Sequence, residues 1–490
     1  MKVNNITIVG GGTSAWLAAA YLSRTQPDIE ITVIDKEIGN PIGVGEATLL
    51  TFDSFLKECG FEVKDWFTEI DAGYKSGILF SNWKNAGDDI WHPFYKGNRL
   101  VRGKYRVWDL WSRHQDLDFK TYATGFYNST VLENTVDGNN LESFAYHVDC
   151  GKLVVFLQNK LKNRVKFIAS DVINVVNKES GDIDYIKLKD GNEVRSDLYI
   201  DCTGFRNVLR KPKEYVPLMG RLFVDTAVVC PVPYQDREKE FTPYATADAV
   251  DHGWIWRIGV NSRIGSGMVF NKSITDVDEA KDYFVNYWQG RIKKEDIRVI
   301  DWTPFYNKDL WVGNVVTIGL GAGFIEPLES TGIGLITYAV GSISNVLRGR
   351  HYTAEDCQLF NLSMTAVVDD AVDFVSAHYV NNDRDTKFWN WVRETFKPSE
   401  KMLHYIEELS NPNVSVPNEV KHYLMFGGSN WALLLIQLGY AVSPRNLDVI
   451  DELTREGLLA NYIEHEKHRH VWSRAHSKEV DRLRELLTQL

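Results

Sequence analysis

The first thirty-six residues constrain the fold more than any other part of the chain. "NITIVGGG" (5–12) is an apolar strand running into glycines, "TSAWLAAAYLSRT" (13–25) is a helix with apolar residues on several faces, and "IEITVIDK" (29–36) is a second apolar strand. Two strands joined through a helix pair in parallel, in a sheet covered on both faces. Gly10, Gly12 and Ala15 hold the three positions of the G-x-G-x-x-G/A fingerprint. The first glycine permits the tight turn, the second lets backbone approach a pyrophosphate, and the small third residue lets helix and strand pack closely. Thr13 and Ser14 open the helix, where backbone N–H groups lack internal partners and attract phosphate. Asp35 closes the second strand, where a carboxylate accepts from a ribose hydroxyl. A coincidental glycine turn is the bland alternative, and the order strand, turn, helix, strand, acid weighs against it.

The rest of the chain must be arranged around this unit. With 490 residues there is room for about three domain-sized units. No repeat, low-complexity tract or long linker separates them, so the domains interleave. "YHVDCGKLVVFLQNKL" (146–161) reads as a helix. Strands with a hairpin turn at Asp190-Gly191 come next, then a β-rich region over about 220–270 and a strand "NVVTIGLGA" (314–322). From 334 the pattern is mostly helical. The expected class is α/β: a Rossmann-like FAD domain of the flavin monooxygenase type (1–95, 145–215, 300–350). It is interleaved with a β-rich and largely helical substrate region (96–144, 216–299, 351–490). FAD is preferred over NAD because "DLYIDCTGF" (197–205) and "VGEAT" (44–48) resemble adenine-side segments of flavoproteins.

Composition excludes several functions. A net charge of −11 argues against a nucleic-acid binder. No apolar run reaches the ~18 residues of a membrane span; the densest, 431–442, is short and contains Gln437. Five cysteines with no CxxC pair fit reduced thiols in a cytoplasmic compartment. Four histidines in 462–476 suggest zinc, but Arg469 stands where HExxH needs its second histidine, so a solvated helix is expected and no metal site. The final "SKEVDRLRELLTQL" is an amphipathic helix suited to packing or to a homo-oligomer contact.

A set of motifs makes the resemblance specific. "GGGTSAWLAAAYL", "IGVGEAT", "YKSGILFSNW", "AYHVD", "DCTGFR", "GWIWRI", "GFIEPLESTGI" and "DFVSAHYV" occur in order over residues 1–390. Together they resemble the flavin-dependent halogenases of the tryptophan-halogenase type. The resemblance implies FAD, used as FADH2 and supplied by a separate flavin reductase. It further implies O2 and a halide (chloride, bromide or iodide), which give hypohalous acid for electrophilic attack on a small aromatic substrate. It places cofactor contacts at the fingerprint residues and Asp35, and at Gly45, Ala47, Val172, Leu320 and Ile333.

It also gives roles to residues that would otherwise look ordinary. Lys75 alone reads as a surface lysine; at the family's catalytic position it directs hypohalous acid, by hydrogen bonding or as a haloamine, and burial favours the neutral amine this needs. Glu329 alone reads as a helix N-terminal acid; the family's glutamate stabilises the cation of the attacked arene and takes its proton. Glu326 is read as structural. Thr331 and Gly332 begin a helix whose free N–H groups suit an anion, the family's halide, while Ser330 or Thr331 caps it. Trp254 and Trp256 share one face of a strand that separates flavin from substrate in the family, and Gly259 replaces its usual proline. His92 and Phe94 match residues that sandwich the substrate ring.

Past residue 390 the match thins. "KHYLMFGGSNWALLLIQLGY" (421–440) is shorter than the family's aromatic segment that clamps the amino-acid end of tryptophan. Indoles, phenols or other electron-rich arenes are therefore expected rather than free tryptophan held in that way. Two other functions stay open: a flavin monooxygenase that hydroxylates an arene, and a non-catalytic FAD- and ligand-binding protein.

Overall fold

The computed structural model describes all residues except 37–45, 95–114, 116–143, 213–214, 415–424, 445–476, 479 and 488–490. The chain divides into two compact units, 1–72 with 148–219 and 302–369, and 73–147 with 220–301 and 370–490.

The first unit is built on a six-stranded sheet in the order Trp311–Val312, Val315–Thr317, Leu198–Asp201, Asn5–Val9, Glu30–Asp35, Lys166–Ala169. Five strands are parallel and only Trp311–Val312 runs against them. Val9 is level with Ile34 and Asp201, and Asp201 with Thr317, so four carboxyl ends finish at one edge. The helix Thr13–Thr25 comes after the first strand within the expected limits, with Ala15, Leu17, Ala18 and Leu22 fully buried. The antiparallel strands Val172–Asn177, Ile183–Leu188 and Glu193–Val194 form a small sheet, turning at Gly191 as expected.

The second unit holds a seven-stranded sheet: Arg298–Asp301, Thr226–Val232, Arg263–Phe270, Gly253–Val260, Ala245–Val250, Gly77–Ser81, Ile90–Pro93. One face carries Val228, Ile255, Met268 and Phe270 against the helix Val277–Tyr287 through Ala280 and Phe284. Strands Gly77–Ser81 and Ile90–Pro93, which the sequence reading groups with the FAD domain, are hydrogen-bonded into this second sheet, Ala245 lying level with Ile78 and Ile78 with His92.

Two local expectations are corrected. Residues 146–161 are not one helix. Ala145–Val148 is a strand, and Asp149 then caps the helix Cys150–Leu161 by accepting from Lys152 N–H at 3.0 Å. The aromatic and β-branched residues favour the strand, and the cap sets the break. The strand at 314–322 is only Val315–Thr317, because Gly319 takes φ +70° and starts a 3₁₀ turn. Among the described residues no helix is long and apolar enough to cross a membrane.

Candidate active site

The carboxyl edge of the parallel sheet collects the fingerprint. Gly10 has φ +122°, and a methyl group there would stand 2.3 Å from the Cys202 carbonyl oxygen, so only glycine fits between the two strand ends. A methyl group at Gly11 would meet Asp35 Oδ2 at 2.0 Å, which places the Asp35 carboxylate against the fingerprint turn. Burial raises the Asp35 carboxyl above the usual carboxylate range, Lys36 N–H and Arg206 opposing it. Among the described residues no atom lies within 4 Å of a methyl added at Gly12, and no side chain caps the helix there. Open space, uncapped N–H groups at Thr13 and Ser14 and a carboxylate beside them fit a dinucleotide: phosphate at the helix end, ribose at Asp35.

Two further loops reach this edge. Asp201 accepts from Thr203 N–H, Thr203 Oγ1 and Leu209 N–H at 2.9, 2.6 and 2.8 Å, which ties down the "DCTGF" turn. Leu320 sits in the 3₁₀ turn Gly319–Gly321 beside Gly204, and Ser14 packs against Gly319. Ala47 is buried in the short strand Glu46–Ala47; Val172 packs on the core around Val9 and Ile34; Gly45 lies outside the described residues. The surface hollow lined by residues 27–31 and 162–166 lies at the opposite, amino end of strands Glu30–Asp35 and Lys166–Ala169, away from these loops.

The glutamate segment differs from a capped helix start. Pro327–Glu329 is a 3₁₀ turn, Ser330 takes the left-handed conformation (φ 61°, ψ 30°), and Thr331–Val346 is helical. Ser330 makes no side-chain cap to this helix, and Thr331 Oγ1 is buried with no hydrogen-bond partner among the described residues. The expectation that Ser330 or Thr331 caps the helix is thus corrected: Ser330 holds the N-cap position in a left-handed conformation rather than the extended one usual for a capping side chain. Gly332 is exposed, with nothing among the described residues within 4 Å of an added methyl, while Ile333 is buried. Uncapped N–H groups, an unpartnered hydroxyl and open space at Gly332 together make a receptive anion environment. Glu329 is fully buried and Glu326 is 1% exposed, so burial does not separate them.

In the second unit, Lys75 ends the strand Gly73–Lys75 and is fully buried, its Nζ 4.4 Å from the centre of the Phe94 ring. Ser76 comes next and is anchored by its N–H and Oγ on the Pro243 carbonyl, at 2.8 and 2.6 Å. Phe241 wedges between Gly73 and Gly259: added methyls would stand 2.7 and 2.9 Å from its ring, and one at Gly259 also 3.0 Å from the Tyr234 hydroxyl. The space beside Gly259 is therefore filled by an aromatic ring. His147 Nδ1 lies 3.0 Å from the Gly259 carbonyl.

His92 and Phe94 lie two residues apart at the sheet edge, 3% and 7% exposed. The His92 ring lies 5.3 Å from Phe374 and 6.2 Å from Phe426, which stack on each other at 4.1 Å. Asn430 Nδ2 lies 2.8 Å from His92 Nε2. The segment after 420, read from sequence as poor in such groups, thus brings Phe426 and Asn430 to the histidine. Nothing in the local pattern signalled them, because the partner strand is more than 300 residues earlier. Trp254 and Trp256 share a face with rings 6.2 Å apart. Trp254 N–H donates to the Tyr379 hydroxyl at 2.9 Å and its ring adjoins Trp83.

The chain is similar to known proteins. The family described as tryptophan halogenase matches residues 5–452. Tryptophan 6-halogenase ThaL of Streptomyces albogriseolus is 28% identical, with 91% of each chain covered. Tryptophan 7-halogenase RebH of Lentzea aerocolonigenes is 29% identical over 80% of this chain and 79% of its own. The crystal structure of a thermophilic tryptophan halogenase from Streptomycin violaceusniger is 26% identical, with a TM-score of 0.85 over 97% of this chain and 100% of that one. The chain therefore belongs to the tryptophan halogenase family, and is an enzyme of this flavin-dependent class.

Proposed function

We propose that the protein is a two-component FAD-dependent halogenase of electron-rich arenes, indoles or phenols, rather than of free tryptophan held by its amino-acid end. The observation that carries this reading is Lys75: a fully buried amine 4.4 Å from the Phe94 ring, two residues from His92. A lysine with only a packing role would keep its charged end in water.

FAD, reduced by a separate flavin reductase, supplies with O2 the oxidation of chloride, bromide or iodide to hypohalous acid. Gly10, Gly12, Thr13, Ser14 and Ala15 hold its pyrophosphate and Asp35 its ribose, with Ala47, Val172, Leu320 and Ile333 beside it. The N–H groups at Thr331 and Gly332 hold the halide. Lys75 Nζ hydrogen-bonds hypohalous acid, or carries the halogen as a haloamine, and orients it toward the arene. His92 and Phe94 hold the arene by stacking. Glu329 stabilises the positive charge that halogen addition creates and accepts the ring proton. Trp254 and Trp256 screen the arene from the flavin, so oxygen does not transfer directly. Helix Gly428–Gln437 carries no ionisable residue, which supports a neutral arene over an amino acid.

The test is reaction with FAD, a flavin reductase, O2, each halide in turn and a panel of indoles and phenols, with products read by mass spectrometry. Halogenated product that disappears in Lys75→Ala and falls steeply in Glu329→Gln is expected. Hydroxylated product without halide, or full halogenation by Lys75→Ala, overturns the reading.

A further inference from the structure

Asn430 lies in the first turn of helix Gly428–Gln437, and the helix is fixed on both sides of it. Seven residues on, on the same face, Gln437 Oε1 accepts from Trp91 N–H at 2.9 Å and Gln437 Nε2 donates to Trp91 C=O at 2.7 Å. Ile90–Pro93 is the edge strand of the seven-stranded sheet, so this side-chain amide replaces the missing neighbouring strand. One residue along, Asn430 Nδ2 meets His92 Nε2 at 2.8 Å. In this orientation the amide NH2 faces the histidine ring nitrogen. Ahead of the helix, the Asp370 carboxylate, paired with Lys401, accepts from Met425 and Phe426 N–H at 2.9 and 3.1 Å. That holds Phe426 on Phe374, and both rings beside His92.

The other end of the Asn430 amide is uncommitted. Among the described residues its Oδ1 has no protein donor, and the residue is only half-buried. A stacked arene next to His92 would meet rings on its faces and this neutral acceptor near its edge. We propose that Asn430 is a specificity-determining residue whose Oδ1 accepts from the ring N–H or phenolic O–H of the aromatic substrate while its Nδ2 holds His92. The inference rests on the reading that His92 and Phe94 take the substrate ring. It predicts a preference for arenes with a polar hydrogen over their N- or O-methylated counterparts.

The experiment is titration of the FAD-loaded protein with indole and with N-methylindole, and with phenol and anisole, read by calorimetry. A hydrogen bond of about 1.4 kcal/mol is a tenfold preference. Wild type should bind each donor probe about tenfold tighter than its methylated partner. Asn430→Leu should bind both members of a pair alike, while Asn430→Asp, which keeps an acceptor, should keep a preference. Equal binding by wild type, binding of neither probe, or a preference that survives in Asn430→Leu overturns the assignment. Chlorination of monochlorodimedone by the wild-type protein, which needs no arene in the pocket, tests the halogenase reading separately.

Discussion

Gly259→Ala asks whether the Phe241 wedge holds the lysine strand. Gly259 has an ordinary negative-φ backbone, so alanine by itself should stabilise by about 0.4–1 kcal/mol through the unfolded chain. The new methyl, however, would stand 2.9 Å from Phe241 Cδ2 and 3.0 Å from the Tyr234 hydroxyl. The same ring also packs closely on Gly73, where an added methyl would stand 2.7 Å from Phe241 Cε2. Overpacking of this kind costs about 1–3 kcal/mol, so the net change should be destabilising by roughly 0.5–2 kcal/mol. In a Phe241→Ala background the obstruction is gone and the same change should become neutral or stabilising. Phe241→Ala alone should cost about 3–5 kcal/mol. Urea unfolding of the four proteins, read by tryptophan fluorescence, gives the coupling directly. A coupling of at least about 1 kcal/mol is expected. Additive effects, or a stabilising Gly259→Ala in the wild-type background, would refute the wedge. Gly73 is two residues from Lys75, so Gly259→Ala should also lower arene halogenation more than release of free hypohalous acid.

Three other outcomes are expected. Asp35→Asn should weaken FAD binding about fivefold, the worth of one hydrogen bond of about 1 kcal/mol, while raising the melting temperature of the FAD-free protein at pH 7. The sign comes from its raised carboxyl. Ionised Asp35 costs stability once pH rises through the unfolded value, fully above the folded one, so the melting difference should vanish in acid below both. Thr331→Val removes a buried hydroxyl without a partner and should stabilise the halide-free protein by about 1 kcal/mol, while halide dependence in steady-state assays shifts to higher concentration. Gln437→Leu leaves the Trp91 N–H and C=O without their partner and should cost about 2–3 kcal/mol in denaturant unfolding, with weaker binding of indole by the same protein.

The sequence by itself determined the parallel core of the first unit, its fingerprint turn and the family. Those features are local: apolar runs of strand length, a helix between them, and glycines whose spacing is dictated by backbone approach. It also marked Lys75, Glu329, Thr331 and Gly332, because their motifs are contiguous. What it misread was local competition. Residues 146–149 look helical, yet Asp149 caps only the helix that begins at Cys150, and Ser330 looks like a cap until its backbone turns left-handed. Tertiary structure alone decided the company these residues keep. Phe241 reaches Gly73 and Gly259 from sequence distances of 168 and 18 residues. Asn430 and Gln437 lie about 340 residues from the strand they hold. No periodicity encodes such pairs, because burial in a sheet specifies which face a residue takes and not which distant side chain will cover it.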